Sequence, residues 1–180
     1  MVDAADAAFR DALARLIPAL RGYARALARS HDAADDLVQE AILRALAAER
    51  QFIPQSDLRA WVFTILRHAW LGGLRRGGRE ARAHEGWRQE VISEGSIGAG
   101  DAADARLGLN RLAVAMRSLP PLQREALLLV GAQGLAAAEA ARIAGVAEGT
   151  IRARVSRARA ALKRALVAVP GTQAILADHH

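Results

Sequence analysis

The chain has 180 residues, a length that suits two small domains better than one large one, since each can still hold a modest core. Apolar residues make up 52% and charged residues 24%, which excludes a disordered chain. The absence of cysteine excludes a disulfide framework, a thiolate metal site and a cysteine nucleophile. The 25 basic residues outnumber the 19 acidic ones for a net charge of +6, a surplus that points to an acidic partner, most often nucleic acid.

The segment from Met1 to Phe9 carries Asp3 and Asp6 and lacks a basic run before an apolar one, so no signal peptide is expected. No stretch of about 18 uncharged apolar residues is present, so no bilayer span is expected. The charge is uneven. Residues 1–50 hold seven basic and eight acidic residues, and residues 51–90 hold seven and four. Residues 91–118 balance at three each, and residues 119–180 hold eight and four. Two basic regions therefore flank a neutral stretch and follow a slightly acidic one. A polyanion is expected to bind in two places, and a different partner at the N-terminal face.

Alanine, leucine, arginine and glutamate dominate without strand-like alternation, so the fold class is all-α. A first helix is expected from about Ala5 to Ser30, bent or restarted at Pro18. Asp32 is the N-cap candidate for a second, running to about Glu49. Gln51 to Ser56 reads as a loop, with Ser56 or Asp57 capping a third helix. That helix carries the apolar stripe Leu58, Trp61, Val62, Ile65, Leu66 and Ala69 and is expected to fade at Gly72-Gly73 or Gly77-Gly78. Residues 78–103 lose apolar periodicity and gain glycine and serine, which predicts a flexible linker; Trp87 is an unusual residue there. Helical pattern returns from about Ala103 to Ser118, breaks at Leu119-Pro120-Pro121, and resumes from Leu122 to Val130. Two further helices are expected, Ala136–Ala144 and Glu148 to about Val167, followed by a frayed tail.

The segment from Leu135 to Leu162 has helix-turn-helix spacing. Ala140 and Ala141 are small where two helices cross, and Gly145 suits a left-handed C-terminal residue. Ile143, Val146, Ile151 and Val155 form the wedge between the helices. The second helix then has a buried arc of Ile151, Val155, Ala158 and Leu162, with Arg152 and Arg154 on either flank. The N-terminal half of such a helix enters the DNA major groove, which places Thr150, Arg152 and Arg154 nearest bases or phosphates and Arg157 and Arg159 at phosphates. In the N-terminal half, Asp36 and Glu40 share one helix face. Like charges at that spacing cost a few tenths of a kcal/mol, which an external cationic partner would offset; no histidine completes a metal ligand set. On the third helix Arg59, Arg67, Trp70, Arg75 and Arg76 combine aromatic and arginine character, as in single-strand binders, whereas Trp61 and Phe63 read as core.

Two ordered blocks carry a resemblance. Asp35 to Glu40, Leu58 to Arg67 and Arg75-Arg76 resemble region 2 of the extracytoplasmic-function RNA polymerase sigma factors. Leu119-Pro120 through Arg124, Leu127 to Gly131, Gly134-Leu135, Glu139 to Ala141 and Gly145-Val146 with Gly149 to Ile151 resemble region 4. Phe52-Ile53-Pro54, Trp61 to Arg67 and Leu128 to Gly131 resemble most the general-stress-response (EcfG-type) subgroup. The resemblance implies a bacterial initiation factor without catalytic activity, cofactor or metal, working in the cytoplasm. It implies region 2 over residues 1–77, a linker over 78–103, region 4 over 104–168 and a tail over 169–180.

It further implies that Asp36, Gln39 and Glu40 face core RNA polymerase. The loop Gln51–Asp57 and the following helix would bind and open the promoter −10 element, through Phe52, Arg59, Arg67, Trp70, Arg75 and Arg76. Thr150, Arg152, Arg154, Arg157 and Arg159 would read the −35 element, and a small anti-sigma factor would cover parts of both domains. The rival reading is a sigma-like mimic that sequesters an anti-sigma factor without binding DNA; the basic helix 148–164 argues against it. Three departures from the family pattern stand out. Ala136-Ala137-Ala138 replaces a hydroxyl residue and an aromatic before Glu139, His68 replaces Asn, and Gly73 replaces Asp or Asn.

Overall fold

The computed structural model describes residues 4–28, 30–83 and 102–167. Most of the expected linker, residues 84–101 with Trp87, and the expected tail lie outside the described residues. Among the described residues seven α-helices follow in order: α1 (Ala4–Leu27), α2 (His31–Ala47), α3 (Leu58–Ala83), α4 (Ala102–Ser118), α5 (Pro121–Leu127), α6 (Ala137–Ala144) and α7 (Glu148–Val167). The all-α expectation holds, with no strand among the described residues.

Several boundaries differ from expectation for local reasons. Helix α1 continues through Pro18; Pro18 is exposed, and burial of Leu13, Leu20, Tyr23, Ala24 and Leu27 on either side outweighs the one backbone hydrogen bond a proline removes. Ser30, not Asp32, caps α2: its side chain accepts from Ala33 N at 3.1 Å, and Asp32 sits in the first turn, where a carboxylate suits the helix dipole. Asp57 is the cap of α3, its Oδ1 accepting from Ala60 N at 3.2 Å, while Ser56 donates to Ile53 O and tightens the loop. Helix α3 runs through both glycine pairs to Ala83, past the expected start of the linker.

Helices α1, α2 and α3 bury one another. Ala34, Leu37, Val38, Ala41 and Ala45 of α2 form a single stripe. The buried face of α3 is wider than the apolar stripe suggests: Val62, Phe63, Leu66, Ala69 and Trp70 are buried, and Leu58, Trp61 and Ile65 are only half so. The reason is that α3 packs on α1 and α2 on one side and on α6 on the other. Tyr23 and Phe63 meet at 5.1 Å between ring centroids.

In the C-terminal half, Pro121 occupies the first turn of α5, where its missing N–H costs nothing. After Leu127 the helix widens into a π-type turn, Leu128–Ala132, closed by Gln133 N donating to Leu128 O. Gly145 has φ +62° and ψ +38°. Gly145 N donates to Arg142 O and Val146 N to Ala141 O, the Schellman pattern that ends α6 and turns the chain into α7.

At the start of α6, Glu139 reaches back to accept from Ala136 N at 2.8 Å. The reciprocal bond is missing because Ala136 has no side-chain oxygen. Ala136→Ser is therefore expected to raise stability by about 1 kcal/mol, read as a higher urea midpoint with an unchanged slope. No gain would show that the cap is already satisfied.

The two halves share one core. A contiguous buried cluster runs from Leu13, Tyr23 and Phe63 through Ala126 and Leu129 to Ile151 and Val155, and α1 touches α5 while α3 touches α6.

Candidate nucleic-acid interface and the polar node between the halves

The exposed face of α7 is built by periodicity. Ile151, Val155 and Ala158 are buried, which leaves Arg152, Ser156, Arg159 and Lys163 along one solvent-facing ridge, with Arg157 exposed on the other side. Arg152 pairs with Glu148 one turn earlier, but its side chain is still 73% exposed. A pair of that kind is worth only about 0.3–0.5 kcal/mol, so a phosphate can displace it. Beside the ridge lies a cleft of about 380 Å³ lined by Val130, Ala137, Ile151, Arg152, Val155 and Arg159. Thr150 is half-buried at the helix start. Arg154 is half-buried, and its Nη1 is enclosed without a hydrogen-bond partner.

The residues expected at the −10 element divide sharply. Arg75 and Arg76 are exposed. Phe52 is half-buried in an aromatic trio, 5.7 Å from Phe9 and 5.3 Å from Trp61 between centroids. Trp70 is a core residue, 6% exposed. Arg59 donates to Gln133 O at 2.8 Å and sits over the Phe63 ring, 5.6 Å from its centroid. Arg67 is 8% exposed, and its Nε donates to Glu125 Oε1. Arg67 and Trp70 are buried and Arg59 is half-buried, and the C-terminal half supplies the partners of Arg59 and Arg67. Besides Arg75 and Arg76, the loop before α3 is exposed, with Ile53 at 64% exposure. Ile53 was not singled out as a contact; its signal is an apolar residue between a loop aromatic and Pro54.

Glu125 is the centre of a polar node that local sequence reasoning missed. Its signal is register: Glu125 falls on the buried stripe of α5 with Ala126 and Leu129. It is fully buried, it is bonded to Arg67, and Arg154 adds a second favourable interaction. Its Oε2 and the nearby Tyr23 hydroxyl are buried without hydrogen-bond partners. Burial pushes the Glu125 carboxyl up, and Arg67, with Arg154 behind it, opposes this. Burial, then the Glu125 charge, push the Tyr23 hydroxyl well up. Next to this node Arg124 Nη2 donates to Leu27 O at 3.2 Å, capping the carbonyl end of α1.

The acidic face lies on α2, away from these contacts. Asp35, Asp36 and Gln39 are exposed. Glu40 pairs with Arg44, and both side chains remain well exposed. Among the described residues no group of three or more metal-ligating side chains occurs, and no helix is long and apolar enough to cross a membrane.

Comparison with known proteins accounts for both halves. Residues 4–67 match the family model for the sigma2 domain of PhyR, and residues 109–162 match that for sigma-70 region 4. The chain is 42% identical to the ECF RNA polymerase sigma factor EcfG of Rhodopseudomonas palustris, over 91% of this chain and 87% of the relative. The sigma factor RpoE of Bartonella quintana, solved with the anti-sigma factor NepR, superposes with a TM-score of 0.75 at 39% identity, covering 88% of this chain and 96% of that one. CnrH, solved with the cytosolic domain of CnrY, gives 0.65 at 28% identity, covering 89% of this chain and 88% of that one. This chain belongs to the extracytoplasmic-function RNA polymerase sigma factors. It is a transcription initiation factor and not an enzyme.

Proposed function

We propose that the chain directs promoter-specific transcription in a general stress response, in the cytoplasm, under the control of an anti-sigma factor. Residues 1–77 act as region 2, joined through residues 78–103 to region 4 over residues 104–168. The acidic face of α2, with Asp36, Gln39 and Glu40, binds core polymerase. The loop Gln51–Asp57 with Phe52, and α3 with Arg75 and Arg76, bind and open the −10 element. Arg59, Arg67 and Trp70 join that surface once α5 and α6 leave α3. Thr150, Arg152, Arg157 and Arg159 read the −35 duplex, with Arg154 behind them.

The observation that carries this reading is the exposed arginine ridge of α7 on the second helix of a helix-turn-helix. Two modest DNA contacts gain by effective concentration once the polymerase fixes their separation. The stress-response assignment rests on the likeness to EcfG over almost the whole chain.

Control by an anti-sigma factor is supported by the complexes of RpoE and CnrH. A groove of about 390 Å³ between the α1–α2 turn and α4 fits such a partner. Ala28, Leu112 and Met116 line it, with Arg25 and Arg117 also present. The two halves form this groove together, so one apolar helix can engage both.

The rival, a mimic that only sequesters an anti-sigma factor, draws on the match of residues 4–67 to the PhyR sigma2 domain. It leaves the ridge on α7 without a use. Transcription with purified core polymerase on a genomic library decides between them. Discrete start sites with shared −35 and −10 sequences are expected. No transcript from any fragment would leave the mimic as the reading.

A further inference from the structure

The loop that precedes α3 is fixed at both ends and sends its two large apolar side chains to different places. Its first part closes a short helical turn, Glu49–Gln51, with Phe52 N donating to Glu49 O at 3.0 Å. Its second part folds over the carbonyl of Ile53, which accepts from Ser56 N at 2.8 Å and from Ser56 Oγ at 2.7 Å. Pro54 keeps the residue before it extended, because the proline ring crowds the helical conformation there. Ile53 is β-branched, so few rotamers are open to it. The result is a stiff apolar side chain, 64% exposed, on a backbone with little freedom. Phe52 is placed differently. Its ring lies 5.3 Å from that of Trp61 in α3 and 5.7 Å from that of Phe9 in α1, and Phe9 and Trp61 are 6.3 Å apart between centroids. All three are half-buried. Phe9 lies one turn before the buried Leu13 and on the same face of α1, so the trio ties the loop to the packed part of the N-terminal half. A ring engaged by two aromatic neighbours is an anchor rather than a platform on which a base stacks.

We infer that Ile53 is the side chain that enters the −10 element, as an apolar wedge between unstacking bases, and that Phe9 is the positioning residue that holds it there through Phe52 and Trp61. These roles rest on the assignment of the loop to the −10 element and divide the work of that site between two residues. A branched aliphatic side chain inserted at a base step separates the stacked bases and buries its own exposed surface in return. The exchange favours opening when the side chain is already held in place, since a mobile loop would lose its conformational freedom on insertion. The aromatic trio on one side of Ile53 and the Ser56 hydrogen bonds on the other supply that hold before DNA arrives. Gln51 and Gln55 flank Ile53 and are exposed, so they can hydrogen-bond the base edges that opening uncovers.

The test uses holoenzyme assembled from core polymerase and the full chain, on a promoter recovered in the transcription experiment. A fluorescent base analogue in the −10 element reports unstacking. Ile53→Ala is expected to lower the extent of opening about tenfold, the order for truncating a branched side chain that becomes buried. Capture by core polymerase and affinity for the −35 duplex should stay at wild-type levels. On the same promoter with a mismatched −10 element, already unpaired, the loss should largely disappear. Phe9→Ala should show the same loss and the same relief by the mismatch, which a merely destabilised region 2 would not. The double variant should lose no more than Ile53→Ala alone, because Phe9 acts through the loop. Phe9→Leu, which keeps an apolar side chain on α1 but not the ring, serves if Phe9→Ala lowers the melting temperature. Wild-type opening by Ile53→Ala, or a loss that persists on the mismatched promoter, overturns the wedge. Additive losses in the double variant overturn the role of Phe9. Ile53→Gly, Pro54→Gly and Gln55→Gly together should abolish opening. Wild-type opening by that triple variant overturns the −10 assignment of the loop as well, whereas a loss confined to it overturns only the role of Ile53.

Discussion

Reversing Asp36 and Glu40 together, as Asp36→Lys and Glu40→Lys, is expected to weaken binding to core polymerase about a hundredfold, or about 3 kcal/mol. Juxtaposed like charges at a protein interface cost several kcal/mol, and two reversals on one face of α2 supply that if the partner surface is basic. The fold should survive. Both side chains lie off the buried stripe of Ala34, Leu37, Val38, Ala41 and Ala45. The exchange replaces one like-charged pair at i, i+4 by another and turns the Glu40–Arg44 attraction into repulsion, worth a few tenths of a kcal/mol. Far-UV dichroism and the −35 duplex affinity should be those of the wild type, while capture by immobilised core polymerase should drop. Unchanged capture would mean that another face of region 2 carries the polymerase contact. The double reversal is chosen over alanine because the proposal concerns charge. Alanine at position 36 removes a mild intrahelical repulsion and gives a smaller, mixed signal.

Local rules made most of the fold legible. The turn at Gly145, the small crossing residues Ala140 and Ala141, the prolines before α5 and the extent of α7 all depend on a few neighbouring residues, and each was readable. What local rules leave out has two sources. At Pro18 and at the glycine pairs of α3, burial along a long helix outweighed a local breaker, and propensity alone cannot weigh that. At Arg59 and Arg67 helical periodicity places the side chains on α3 but cannot show what packs against them. Arg59 meets Gln133 and Arg67 meets Glu125, partners 74 and 58 residues away. Glu125 could have been suspected, since a carboxylate on an apolar stripe needs a buried cation. Its partner could not be named without the packing of α3 against the C-terminal half. The surface residues Arg152, Arg157 and Arg159, and the acidic face of α2, needed only helical periodicity to be placed, and the structure leaves them exposed.

The recognition helix is where that distinction has its largest measurable consequence. Replacing Arg152, Arg157 and Arg159 by alanine together is expected to lower −35 duplex affinity on the order of a hundredfold at moderate salt, each arginine contributing roughly 1 kcal/mol or more. The slope of log affinity against log salt should fall by about 0.9 for every phosphate contact removed. These side chains make no buried contact: Arg152 gives up only its exposed pair with Glu148, so thermal stability should barely change. Arg154→Ala is expected to do the reverse. It removes a cation that favours the buried Glu125 carboxylate, so the melting temperature should fall, and it should leave the salt slope near the wild-type value. Duplex titration at several salt concentrations and a melting curve on each variant separate the two roles. A triple variant with the wild-type slope would remove the ridge from the DNA interface. An Arg154→Ala protein that kept its melting temperature and lost its slope would place that guanidinium on the phosphate backbone rather than beside the carboxylate of α5.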